Sequence, residues 1–148
     1  NLLEADKVKR SFVSSVLKGQ TKSKIEKKSQ QFFDQYYPEI FRDNALDFIK
    51  NIDHSKTDCY IVSASLDIWV RPFAEKFGMK LLATQAAFEN NIFTGKFVGK
   101  NCNGLEKVNR IKEAINEKKY DKTIAFGDTS GDQEMLDWAD EGQFKFFH

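Results

Sequence analysis

The stretch Ile124-Ala125-Phe126-Gly127-Asp128-Thr129-Ser130-Gly131-Asp132 decides how this sequence reads. With Thr123 it opens as a short apolar run of the kind that forms a buried strand. Gly127 permits a tight turn, so Asp128 stands at the carboxyl end of that strand. Asp132 follows four residues on, and a loop or helical turn over 129–132 brings both carboxylates toward one point. Neighbouring carboxylates repel. A hard divalent cation such as magnesium resolves the repulsion and leaves room for waters and substrate oxygens. The same residue types also suit a surface turn that caps a helix.

Working outward, the chain from Thr57 alternates. Cys59-Tyr60-Ile61-Val62 reads as a buried strand, followed by the small residues Ser63, Ala64 and Ser65. Asp67–Phe77 reads as a helix that tolerates Pro72 in its early turns and closes at Gly78. Met79–Ala83 reads as the next strand. Residues 86–98 fit a small hairpin turning at Glu89-Asn90-Asn91. Gly104 precedes a helix carrying Leu105, Val108, Ile111 and Ile115 at near-helical spacing. After the strand 123–126, Met135-Leu136 belongs to a short helix, and Phe144–Phe147 is expected as the last strand. Strands alternating with helices predict an α/β unit with a mainly parallel sheet. Such sheets bind ligands beyond the carboxyl ends of their strands.

Upstream, helices are expected over 2–17, over 22–37 with Pro38 ending or kinking it, and over 45–52. Phe32, Phe33, Tyr36, Tyr37 and Phe41 suit either core packing or the entrance to a substrate site.

Two further pieces stand where ligands bind in such a sheet. Ser63 lies at the end of a strand, and its hydroxyl with the following amides, that of Ala64 first, can receive phosphate oxygens at a helix N-terminus. Against this, Ser65 or Asp67 can simply cap helix 67–77. Lys107 lies near a helix start, where it can pair with Asp128 and offset phosphate charge, or be one more solvated lysine. Lys100 competes for the same role.

Composition narrows the classes. The chain has 148 residues, 23 Lys plus Arg, 22 Asp plus Glu, and a formal charge of +1. That balance gives no electrostatic case for nucleic acid. One compact domain is expected, with a small helical appendage. The early lysines Lys18, Lys22, Lys24, Lys27 and Lys28 suit a solvated helix face, or an anionic partner. The 2 cysteines fit a reducing compartment, so a cytoplasmic location is expected, with no membrane insertion and no signal peptide. No G-x-G-x-x-G occurs, which argues against a dinucleotide site. His54 and His148 are isolated, and Cys59 and Cys102 have no close thiol, which argues against zinc.

As an ordered set, Val62-Ser63-Ala64-Ser65, then Asn101 to Ile111 (N-C-N-G-L-E-K-V-N-R-I), then Ile124 to Leu136 (I-A-F-G-D-T-S-G-D-Q-E-M-L), resemble the haloacid dehalogenase superfamily, in its phosphoserine-phosphatase-like branch. The likeness covers residues 57–147 well. Residues 2–52 look like part of that branch's helical cap and the return to its core. The resemblance implies a Rossmann-like core over 43–148 and a partial cap over 1–42. It implies magnesium (Mg2+) as cofactor and a small phosphomonoester as substrate. Ser63 and Ala64 match the phosphate-binding positions. Lys107 matches the lysine that neutralises the nucleophile–phosphate pair. Asp128 and Asp132 match the metal carboxylates, the second direct or through water.

The family's first motif, D-x-D at the end of an apolar strand, supplies the nucleophile and the general acid. No such motif occurs here. Asp43-Asn44-Ala45-Leu46-Asp47 has the wrong spacing and no apolar strand before it. The expectation is therefore that the first core strand belongs to a missing N-terminal segment of the parent protein. These residues alone are then inactive, within a magnesium-dependent phosphatase that works through an aspartyl-phosphate. The alternative is a noncatalytic phosphate-binding or structural module.

Overall fold

The computed structural model describes residues 16–40 and 42–147; the helix expected over 2–17 lies outside them except for its last two positions, which are helical. Helix α1 (Lys22–Ile40) opens with the Lys24 amide donating to Thr21 Oγ1 at 3.2 Å, a side-chain oxygen serving an otherwise unpaired first-turn amide. The sequence left Pro38 to end this helix or to kink it, and the helix continues past it to Ile40. Proline removes one backbone bond. Aromatic packing on the helix α3 (Asp67–Phe77) supports α1 up to that point, with Phe33 on Phe73 at 4.9 Å and Tyr37 on Phe77 at 6.0 Å. Between them lies α2 (Asp43–Lys50), two residues earlier than expected at each end.

Strand β1 (Tyr60–Leu66) runs through the small residues rather than stopping at Val62. It pairs in parallel with β2 (Lys80–Glu89), from Tyr60↔Lys80 to Ser63↔Ala83, then slips register before Leu66↔Thr84. That slip leaves Ala64 and Ser65 as a bulge in the ladder. The α3 helix follows at once and ends on Gly78, whose φ of 63° closes the helix in a left-handed cap.

The second half of β2 pairs antiparallel with β3 (Ile92–Val98). Asn90 and Asn91 turn this hairpin with φ of 49° and 64°, conformations that asparagine tolerates better than most residues. Helix α4 (Leu105–Ile115) leads to β4 (Ile124–Gly127), the short helix α5 (Gln133–Trp138), and β5 (Glu141–Phe144), which lies parallel to β4. The last strand thus begins three residues before the expected Phe144–Phe147. Phe146 and Phe147 instead join Phe48 and Phe126 in an aromatic cluster, with ring centroids 5.0 to 6.3 Å apart.

Among the described residues the strands form two sheets, β1-β2-β3 and β4-β5. One apolar core unites them: Val108 and Ile111 of α4 and Met135 of α5 pack with Val62 of β1, Leu82 of β2 and Ala125 of β4. A second core joins Ile25 of α1 to Leu66, Ile68 and Phe93. No helix among the described residues is long and apolar enough to cross a membrane.

Candidate functional site

Lys107 is the residue around which the site is built. It is buried on α4 despite its charge, and its Nζ lies 2.5 Å from Asp132 Oδ1 and 3.3 Å from the Val62 carbonyl. Lys107 thus joins the backbone just before Ser63 to the loop that follows β4. Both side chains of the ion pair are nearly sealed, at 8% and 9% exposed. Lys100, its competitor in the sequence, is exposed and lies outside this pair.

Asp132 does not sit beside Asp128 as a second free carboxylate. Its Oδ2 accepts the Asp128 amide at 3.1 Å, the Thr129 amide at 3.0 Å and the Thr129 hydroxyl at 3.0 Å. Thr129 and Asp132 form a reciprocal capping box around a single turn of 3-10 helix, Ser130–Asp132. Burial works against the charge on Asp132. The Lys107 ammonium, then the Thr129 amide and hydroxyl, outweigh it and hold the carboxyl below the usual carboxylate range.

Glycine makes this approach possible. A Cβ on Gly127 would stand 2.5 Å from Asp132 Cβ, and one on Gly131 would stand 2.1 Å from Asn103 Oδ1. The expected pairing of Lys107 with Asp128 is therefore replaced by pairing with Asp132, which sits directly beneath the strand end.

Asp128 itself is exposed at the end of β4. It lines a cavity of about 270 Å³ with Arg42, Phe126, Lys145, Phe146 and Phe147. Magnesium takes one or two carboxylates and completes its shell with waters and substrate oxygens. Asp128 fits that requirement. Asp132 gives its Oδ2 to three donors and its Oδ1 to Lys107, which leaves one lone-pair position of Oδ1 for an ion or for a water on it. Among the described residues no group of three His, Cys, Asp or Glu side chains converges.

Ser63 lies at the last regular pair of β1. Its Oγ accepts the Ser65 amide at 3.1 Å, a local turn built by a serine on its own backbone. The N-cap of α3 is Leu66, without a side-chain cap bond, so neither Ser65 nor Asp67 takes the rival capping role, and Asp67 acts from the first turn. Asp67 Oδ1 accepts the Ile68 amide at 2.8 Å and reaches across to the Ala86 amide at 3.1 Å, tying the start of α3 to β2.

A larger cavity of about 690 Å³ is lined by Asp67, Arg71, Gln85, Lys100 and Arg110, and none of the expected site residues faces it. Its Arg110 is committed to Glu106 and to the Ala83 and Lys100 carbonyls. Of the α1 aromatics, Phe32 meets Trp69 at 5.4 Å and Phe33 is buried on Phe73, while Tyr36 is exposed. Phe41 lies outside the described residues.

Fold and site together define a Rossmann-like α/β protein whose strand ends carry a serine turn, a buried acid–lysine pair and an exposed aspartate. The family model for haloacid dehalogenase-like hydrolases matches residues 2–137, and the chain belongs to that family. Protein CicA of Caulobacter vibrioides is 34% identical over 143 residues, covering 95% of this chain and 64% of that protein. A crystal structure of a protein of unknown function from Bordetella pertussis Tohama I matches with a TM-score of 0.77 at 17% identity, covering 88% of this chain and 61% of that one. A structure of phosphoserine phosphatase, described as a phospho-aspartyl intermediate analogue, matches with a TM-score of 0.58 at 25% identity, covering 88% and 60%. Within the family the chain thus falls in the phosphoserine-phosphatase-like branch. It spans less than two thirds of the length of each of these relatives.

Proposed function

We propose that this chain carries the phosphate-binding and magnesium-binding end of a phosphomonoester hydrolase. The buried Lys107 carries the reading. A sealed ammonium that touches the carbonyl before Ser63, and the acid that holds the Asp128 amide, links two strand ends around one place for a phosphoryl group. In this reading the Ser63 hydroxyl and the Ala64 amide receive phosphoryl oxygens, while the Ser65 amide holds Ser63 Oγ. Lys107 offsets their charge as it builds toward the transition state. Asp132 holds Lys107 and the 128–129 backbone in place. Asp128 would hold the magnesium ion, which supplies charge stabilisation on phosphoryl and attacking oxygens when bound.

The nucleophile and general acid belong, in this proposal, to an N-terminal segment of the whole protein that ends an added strand in D-x-D. Among the described residues β1 pairs only with β2, and β4 only with β5, which supports room for such a strand. Attack by its first aspartate forms an aspartyl-phosphate, and the second aspartate protonates the departing alcohol and then activates water. Residues 1–42 act as part of a helical cap, and the reaction is cytoplasmic.

The test is a phosphomonoester panel on the full-length protein, with magnesium and with a chelator. Phosphate release that needs magnesium is expected, with Asp128→Asn sharply lowering turnover and raising the magnesium demand. Release indifferent to both magnesium and the substitution would remove the proposal. The 148-residue chain by itself is expected to release none.

A further inference from the structure

The turn that carries Ser63 is held from behind by a residue outside every motif. Thr84 is wholly buried, at 0% exposed. Its hydroxyl oxygen lies 2.8 Å from the Ala64 carbonyl and 2.8 Å from Asn101 Oδ1, and it accepts the Cys102 amide at 2.9 Å. The single hydroxyl hydrogen serves the two acceptors, and the oxygen serves the amide. Three segments meet on one side chain: β2, the bulge of β1, and the loop leading into the helix of Lys107.

Peptide geometry extends this contact to the site. The Ala64 carbonyl and the Ser65 N–H belong to one planar trans unit and point in opposite directions. A carbonyl held inward on Thr84 aims the Ser65 N–H outward, where it meets Ser63 Oγ at 3.1 Å. That bond occupies a lone pair of the Ser63 oxygen and leaves its O–H free to donate. The same loop is pinned at its far end, where the Gly104 amide donates to the Gly131 carbonyl at 3.0 Å.

We propose that Thr84 is a positioning residue for the phosphate site. It sets the Ala64–Ser65 peptide so that the Ser65 amide, donating to Ser63 Oγ, orients the Ser63 hydroxyl to donate to an anionic oxygen, in register with Lys107. This rests on the reading of Ser63 as a phosphate ligand.

The test compares Thr84→Val, Thr84→Ser and Ser63→Ala in the full-length protein, titrated with inorganic phosphate in magnesium by calorimetry and followed at the Ser65 amide by NMR. Valine keeps the shape and removes the hydroxyl. It is expected to weaken phosphate about tenfold, the worth of one hydrogen bond, and to shift the Ser65 amide. Serine is expected to restore both. Phosphate binding unchanged by valine but weakened by Ser63→Ala overturns the role of Thr84 alone. Binding unchanged by both substitutions overturns the phosphate reading and this inference with it. Should the valine variant not fold, the Thr84 hydroxyl proton of the unsubstituted protein decides. Slow exchange with water and a shift on phosphate addition support the proposal, and exchange at the rate of a free hydroxyl overturns it.

Discussion

Replacing Lys107 by methionine tests the buried ion pair on stability alone, without an assay of function. Methionine keeps most of the apolar stem and leaves little cavity. What is lost is the ammonium 2.5 Å from Asp132 Oδ1, in a pair whose side chains are 8% and 9% exposed. Removing one member of a buried pair costs about 3–5 kcal/mol. Asp132 keeps the donors on its Oδ2, so the low end applies, about 3 kcal/mol. For a domain of this size that corresponds to a fall in Tm of roughly 6–12 °C.

The pH dependence fixes the sign. Asp132 has a depressed folded-state pKa. Its contribution is present above the unfolded value, about 3.9, and is lost as pH falls through the lower folded value. In the methionine variant burial acts unopposed by Lys107, so the carboxyl protonates earlier and the penalty is relieved. The stability gap should therefore be widest at neutral pH and narrow on acidification. Urea unfolding followed by circular dichroism, at a series of pH values, measures this. A loss below about 1 kcal/mol at pH 7, or a gap that does not narrow, would refute the reasoning.

Other contacts carry further expected outcomes. Gly127→Ala places a Cβ 2.5 Å from Asp132 Cβ and is expected to cost about 2 kcal/mol by overpacking, read as a lower urea midpoint. Tyr120 donates to Asp58 at 2.6 Å; its phenol is pushed up to about 12, chiefly by that bond. Tyr120→Phe should raise the Asp58 carboxyl toward its ordinary value in an NMR titration, since the same bond is the main reason it lies low. Cys102 is 0% exposed while Cys59 is partly exposed with its thiol pushed up by burial. A thiol reagent should label Cys59 slowly at pH 7, and Cys102 only on unfolding.

The alternation of strand and helix was legible where apolar runs end in decisive residues. Helix Asp67–Phe77 was read to the residue, because Gly78 takes a conformation that few other residues accept. Partner-dependent features were less legible. Strand β1 runs past Val62 because β2 supplies a partner for Ser63, not because serine favours strands. Strand β2 is twice as long as read because its second half answers to β3. The aromatics at the C-terminal end suggested a strand, yet they pack on Phe48 and Phe126 while the polar Glu141–Phe144 pairs with β4.

At the site, Asp128 at a strand end was readable from Phe126-Gly127-Asp128. That Lys107 chooses Asp132 was not, since it depends on the capping turn folding the acid back under Gly127. The signal for Thr84 was present but faint: a lone hydroxyl closing the apolar run Leu81-Leu82-Ala83, where a buried polar group needs partners.

The central claim is that Ser63, Lys107 and Asp128 serve one phosphoryl group. A crystal structure of the full-length protein with magnesium and orthovanadate tests it most directly. The account predicts vanadate oxygens within hydrogen-bond distance of Ser63 Oγ and Lys107 Nζ, with Asp128 on the ion. Vanadate seated instead in the larger groove between Arg71 and Lys100, away from all three, would contradict it.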